Sequence, residues 1–194
     1  MKTPAQPAAG ASAVFLDKDG TLVQNVPYNV DPARIRLAPG AAEALRMLAD
    51  AGFRLFVVSN QSGVARGYFG EEALGPVEAR IREMLSAEGA RVDAFAWCPH
   101  HPQGTVAAYA RACDCRKPAP GMITALAAAH GIDLSRSWMV GDILDDVEAG
   151  RRAGCRTVLV DSGGETEWVP GAHREPDHVV GDLAAAARAI LAHS

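Results

Sequence analysis

Residues 14–22 read Val-Phe-Leu-Asp-Lys-Asp-Gly-Thr-Leu, a short apolar run that delivers two aspartates, spaced i and i+2, into a glycine turn. An apolar run without alternation is the pattern of a strand buried on both faces, and such strands belong to parallel sheets. Open parallel sheets bind ligands beyond the carboxyl ends of their strands, which is where Asp17 and Asp19 fall. Alternate residues of an extended chain point the same way, so both carboxylates can face one small site. That pair suits a hard divalent cation, and one of the two can act as a nucleophile. A calcium loop of the helix-loop-helix kind does not fit. Counting from Asp17, Leu22 stands where glycine is needed and Tyr28 where glutamate is needed.

The rest of the chain alternates apolar runs with helical periods, as a parallel sheet with crossover helices requires. Strands are expected over 13–16, 53–58, 92–97, 138–140 and 156–160, with a short extended piece over 34–37. Helices are expected from Pro39-Gly40 to Gly52, over 71–89 with an interruption at Gly75-Pro76, over 120–130 ending at Gly131, over 145–153, and over 182–192 with Asp182 as its cap. The expected architecture is α/β, a doubly wound, mainly parallel, Rossmann-like sheet. The intervals after the first two strands are too short for a separate cap domain. The Ala- and Pro-rich residues 1–12 are expected to form a flexible tail, and 13–194 a single domain.

Composition narrows the function. A formal net charge of -4 leaves no basic excess for a nucleic-acid surface. No apolar run approaches the roughly 18 residues a membrane helix needs, and the N-terminal residues lack the apolar segment of a signal peptide. The expectation is a cytoplasmic monomer acting on a small molecule. Of four cysteines, Cys98, Cys113 and Cys115 cluster, which in a reducing compartment reads as metal binding rather than disulfide formation. Cys155 stands apart before an apolar run and reads as core. A Cys98-x-His100 pair, then twelve residues, then Cys113-x-Cys115 would close a tetrahedral zinc site with no open position, the structural kind. The spacing is tighter than the general zinc rule, and by spacing alone His101 can replace His100.

Ser59-Asn60-Gln61 follows the second expected strand and Gly141-Asp142 a later one, so both join Asp17 and Asp19 on one edge of the sheet. A nucleophile, a second acid, a hydroxyl, a lysine and a further aspartate are the parts phosphoryl transfer needs. Asp-x-Asp-Gly-Thr at 17–21, Ser59, Lys117 and Gly141-Asp142, in this order, resemble the motif set of the haloacid dehalogenase-like (HAD-like) hydrolases over nearly the whole chain. The stretch 59–69 and the run Cys98-Pro99-His100-His101-Pro102 leading to 113–118 resemble the D-glycero-D-manno-heptose 1,7-bisphosphate phosphatases. Histidinol phosphatases share the same zinc loop.

The resemblance implies an HAD-like fold and a cytoplasmic, magnesium-dependent phosphatase supplying heptose for lipopolysaccharide or surface glycans. It implies Asp17 as a nucleophile that becomes an aspartyl phosphate, and Asp19 as general acid and base. Ser59 and Lys117 would steady the phosphoryl group. Magnesium would be held by the Asp17 carboxylate, the Asp19 carbonyl and Asp142, and zinc by Cys98, His100, Cys113 and Cys115. The sugar phosphate substrate would be bordered by Asn25, Tyr28, Ser59, Asn60, Gln61, Ser62, Arg66, Arg116 and Lys117. An acid after Asp142 can be Asp145 or Asp146, and the residues do not choose. Members of the group can carry a basic residue directly after the motif aspartate, where this chain has Ile143. A histidinol-phosphate phosphatase and a non-enzymatic phosphate-sensing relative are the other readings.

Overall fold

The structure is a computed structural model that describes residues 10–194. Its sheet is built from β1 (Ala13–Leu16), β2 (Arg54–Asn60), β3 (Ala94–Cys98), β4 (Trp138–Gly141), β5 (Arg156–Val160) and β6 (His178–Val180). The helices are α1 (Ala41–Asp50), α2 (Leu74–Ala87), α3 (Gly121–His130), α4 (Leu144–Ala153) and α5 (Leu183–Ala192). All strand pairs are parallel, in the order β3-β2-β1-β4-β5-β6. The order reverses at β1, and that switch point is where a doubly wound sheet opens its ligand crevice.

Both faces of the sheet are buried, which is why its strands read as continuous apolar runs. Val14 and Leu16 face the layer of α1, α2 and α5, while Ala13 and Phe15 face α3 and α4. Phe15 stacks on Phe56 at 5.4 Å between ring centroids. Phe15 is fully buried, so truncation to alanine is expected to cost about 3–5 kcal/mol.

Several expectations are corrected in detail. The expected tail lies outside the described residues for 1–9, but Ala11 already bridges to Ile132 and Ser12 accepts the Arg54 N–H at 3.0 Å. Gly75-Pro76 does not interrupt α2. Pro76 sits in the first turn, where a helix has no use for the backbone N–H that proline lacks. The piece over 34–37 is a 3-10 turn, Pro32–Arg34, followed by a single antiparallel bridge from Leu37 to Val23. β6 is a three-residue edge strand with an exposed Val179, too short and too mixed to announce itself as a pattern. No helix among the described residues is long and apolar enough to cross a membrane.

Candidate active site

β1 ends by carrying its ladder one step into the site: the Asp17 N–H donates to the Val140 carbonyl at 2.9 Å. The Asp17 side chain is thereby fixed at the switch point, almost fully buried. Lys117, itself fully buried, reaches it from the opposite side. The Lys117 ammonium donates to Asp17 Oδ1 at 2.5 Å and to the Val58 carbonyl at 2.9 Å, and lies 2.6 Å from Asp146 Oδ1. The Asp146 contact is a close ion pair without hydrogen-bond alignment, so that oxygen has no hydrogen-bond partner among the described residues. Asp19 is held at both oxygens, by Lys18 Nζ at 2.7 Å and Gln61 Nε2 at 3.2 Å. Gln61 Nε2 also donates to the buried Ser59 hydroxyl oxygen at 2.9 Å.

The structure separates the two acids after Asp142. Asp146 is buried at the third position of α4, where its Oδ2 accepts the Ile143 N–H at 3.3 Å, and it faces Lys117. Asp145, one residue and about 100° around the helix earlier, turns outward to Arg174 at 2.9 Å. Ile143 stands at the helix N-cap without a capping side chain, and Glu165 from the loop after β5 accepts the Leu144 N–H at 2.7 Å instead. An acid three residues past a helix cap is the signal that singles out Asp146, but it can be read only once the cap is known.

Asp17, Asp142 and Asp146 place ligand oxygens within 4.8 Å of one another. With Asp19 they make four carboxyl groups against the two ammonium groups of Lys117 and Lys18, a formal excess of two negative charges when all are ionised. A divalent cation matches that deficit, and its ligand oxygens are present. Burial raises the Asp17 carboxyl well above the usual range against the opposing pull of Lys117, with Asp146, Asp142 and Asp19 adding to the rise. Burial, then the Asp146 charge, pushes Asp142 up to about 7. Asp142 is also cradled by two glycines. A Cβ at Gly20 or Gly164 would lie 2.1 or 2.0 Å from its Oδ2.

Asn60 spends its amide on the Lys117 backbone, donating to its carbonyl and accepting its N–H, both at 3.0 Å. Ser62 opens the turn after β2, its carbonyl accepting the Arg66 N–H at 3.0 Å. Asn25 lines a cavity of about 410 Å³ beside Gly20, Thr21 and Asp142. Tyr28, in the left-handed region at φ 55°, meets Tyr68 edge-on at 4.8 Å. Both rings are at least half exposed, and Tyr68 is a neighbour the sequence reading did not single out.

Cys98 Sγ, His100 Nδ1, Cys113 Sγ and Cys115 Sγ converge, with contacts of 3.1–3.7 Å among them. Zinc bonds of about 2.3 Å to sulfur and 2.0 Å to nitrogen imply tetrahedral edges of roughly 3.5–3.8 Å, so the cluster is compatible with a closed zinc site. His101 points away from it, to Arg66 and the Gln103 N–H. The cluster joins the active site through backbone: the Cys98 carbonyl accepts the Gln61 N–H at 2.8 Å, and Cys113 Sγ accepts the Arg116 N–H at 3.3 Å.

Comparison with known proteins decides the family. The HAD-hydrolase-like family model matches residues 114–186. A D-glycero-beta-D-manno-heptose-1,7-bisphosphate 7-phosphatase from Rhodopseudomonas palustris is 44% identical over 78% of this chain and 81% of its own. A D-glycero-D-manno-heptose-1,7-bisphosphate 7-phosphatase from Thermosynechococcus vestitus is 43% identical over 93% of this chain and 96% of its own. The chain belongs to the heptose-bisphosphate phosphatase family of HAD-like hydrolases. A solved member of the heptose-bisphosphate phosphatases, from B. bronchiseptica in complex with magnesium and phosphate, superposes with a TM-score of 0.77. It is 32% identical, covering 94% of this chain and 99% of its own.

Proposed function

We propose that the chain is a magnesium-dependent phosphatase that removes the 7-phosphate of D-glycero-D-manno-heptose 1,7-bisphosphate. The carrying observation is the buried Asp17–Lys117–Asp146 array at the sheet switch point, with its uncompensated negative charge. Family membership supplies the substrate class.

Lys117 engages Asp17 Oδ1, which leaves Oδ2 to attack phosphorus. The bond from phosphorus to the sugar oxygen breaks as Asp19 gives that oxygen a proton, leaving an aspartyl phosphate on Asp17. Water then attacks the phosphorus, Asp19 takes its proton, and the bond to Asp17 Oδ2 breaks to release inorganic phosphate. Gln61 and Lys18 hold Asp19 in position for both transfers. The ammonium of Lys117 and the Ser59 hydroxyl stabilise the phosphoryl oxygens, and Asp146 keeps the ammonium in place. Magnesium would be held by the Asp17 and Asp142 carboxylates and the Asp19 carbonyl. When bound it supplies charge neutralisation for the phosphoryl oxygens. Zinc at the four-residue cluster would be structural, fixing the loop that carries Arg116 and Lys117.

A substrate panel tests this reading. The kcat/KM for the heptose bisphosphate is expected to exceed that for histidinol phosphate by at least about a hundredfold, a lower bound for a polar site that an analogue leaves unfilled. Preference for histidinol phosphate would move the chain to the sibling activity. Failure to turn over either compound or a generic aryl phosphate would leave a phosphate-sensing protein.

A further inference from the structure

The loop from β5 to β6 is tied to α4 at both ends of the helix and along its outer side. At the first residue of α4, Glu165 Oε2 accepts the Leu144 N–H at 2.7 Å. On the outer side, Arg174 Nη1 reaches Asp145 Oδ1 at 2.9 Å and Glu148 Oε2 at 2.8 Å. In the last turn, Arg151 donates to the Glu175 carbonyl at 3.1 Å and pairs with Asp177 at 3.0 Å. The two arginine ties include partly exposed ion pairs, which water weakens. The Glu165 tie is of another kind.

Glu165 takes its hydrogen bonds from main-chain donors. Its Oε1 accepts the N–H groups of Glu167 at 2.8 Å and Trp168 at 3.4 Å, so one oxygen holds its own turn and the other holds α4. Leu144 follows Asp142 by two residues, and Glu165 follows Gly164 by one. Gly164 is packed against Asp142, where a Cβ would lie 2.0 Å from Oδ2. The bond from Leu144 to Glu165 therefore fastens the segment that carries Asp142 to the backbone packed against its carboxylate. No side chain among the described residues donates to that carboxylate, so its position depends on the backbone around it. Ile143, at the helix N-cap, has no side-chain oxygen to offer the first turn. Without Glu165 the N–H of the buried Leu144 loses its acceptor.

We propose that Glu165 is a positioning residue for magnesium, fixing the Asp142 carboxylate as a ligand by fastening α4 to the Gly164 backbone. The inference rests on the magnesium-dependent reading above. Glu165 touches no reacting atom and acts through Asp142. Groups that hold a metal ligand from behind typically change metal affinity by about ten- to a hundredfold when removed.

The test is calorimetric titration of magnesium into the zinc-replete parent and into Glu165→Ala, Glu165→Asp, Glu165→Gln and Arg174→Ala. Glu165→Ala is expected to raise the magnesium Kd by about tenfold or more, and the rate loss should lie in the magnesium concentration for half-maximal activity more than in kcat. Glu165→Asp, one methylene short of Leu144, should weaken magnesium as well and serves where alanine prevents folding. Glu165→Gln keeps an oxygen for the Leu144 N–H and should recover most of the affinity. Arg174→Ala cuts only the outer tie and should leave the magnesium Kd within about twofold. A magnesium Kd unchanged in Glu165→Ala and Glu165→Asp, or raised as much in Arg174→Ala, would overturn the proposal, because a loop that merely stabilises the fold makes these variants alike. A parent that binds no magnesium would instead overturn the functional reading.

Discussion

The side-chain amide of Asn60 closes a two-bond ring with the backbone of Lys117, both bonds 3.0 Å long, across 57 residues of sequence. Asn60 is the last residue of β2, and its Cα pairs with that of the zinc-cluster residue Cys98. The lysine that reaches Asp17 is thus registered against the sheet by its main chain, and its ammonium is aimed from a fixed base. We propose that Asn60, its amide committed to the Lys117 backbone, acts as a positioning residue.

Asn60→Ala removes that ring and is expected to lower kcat by about ten- to a hundredfold with little change in KM, the effect of a misplaced catalytic cation. Asn60→Asp keeps an acceptor for the Lys117 N–H and should fall between. Steady-state kinetics on both variants, with zinc content as a control, decides the point. Unchanged kcat in Asn60→Ala would return Asn60 to the substrate wall.

Asp17→Asn should lower turnover by at least about a thousandfold, the scale of losing a covalent nucleophile, while the fold and zinc content persist because amide and carboxylate have the same shape. A variant within tenfold of the parent excludes Asp17 as the nucleophile. Mass spectrometry of quenched turnover should find the phosphoryl group on Asp17 of the parent.

The Asp142 carboxyl, raised to about 7 in the fold against about 3.9 in an unfolded chain, ties stability to pH. The folded protein holds this proton more tightly, so metal-free stability from this group is lost as pH rises from about 4 to about 7. Magnesium held at this carboxylate would reverse that loss. The gain in Tm on adding magnesium should therefore grow between pH 5.5 and 8, and Asp142→Asn should abolish the growth. A magnesium gain independent of pH in the parent would contradict the role.

Purified without added metal, the protein should carry about one zinc per chain, while activity still requires magnesium. Cys113→Ser should lose the zinc, lower Tm by about 5–10 °C, and reduce activity by displacing Arg116 and Lys117. Elemental analysis alongside thermal melts checks both. Parent-like melting of a zinc-free variant would rule out a structural metal.

Much of this was legible in the sequence because the sheet is buried on both faces. Val14-Phe15-Leu16, Val57-Val58 and Met139-Val140 leave no choice but strands, and the polar residues after them fall at one edge. Other features depend on a helical angle or on a distant partner. Asp145 and Asp146 differ only in which side of α4 they face. Glu165 caps that helix from across a loop, and Tyr68 meets Tyr28 only after two loops fold together. Asn60 and Gln61 announce themselves as polar residues beyond a strand, but their use in holding Lys117 and Asp19 is a matter of geometry that no spacing carries.

Gly20 and Gly164, 144 positions apart in the chain, both abut Asp142 Oδ2, and a methyl group at either place would have to push that carboxylate aside. Randomising both codons and selecting for phosphatase activity should return glycine at each. At Gly20 the positive φ of 90° would add backbone strain to that displacement, so even alanine is disfavoured. The mutational landscape around the Asp142 carboxylate should thus be narrowest at two residues that contribute no chemistry at all.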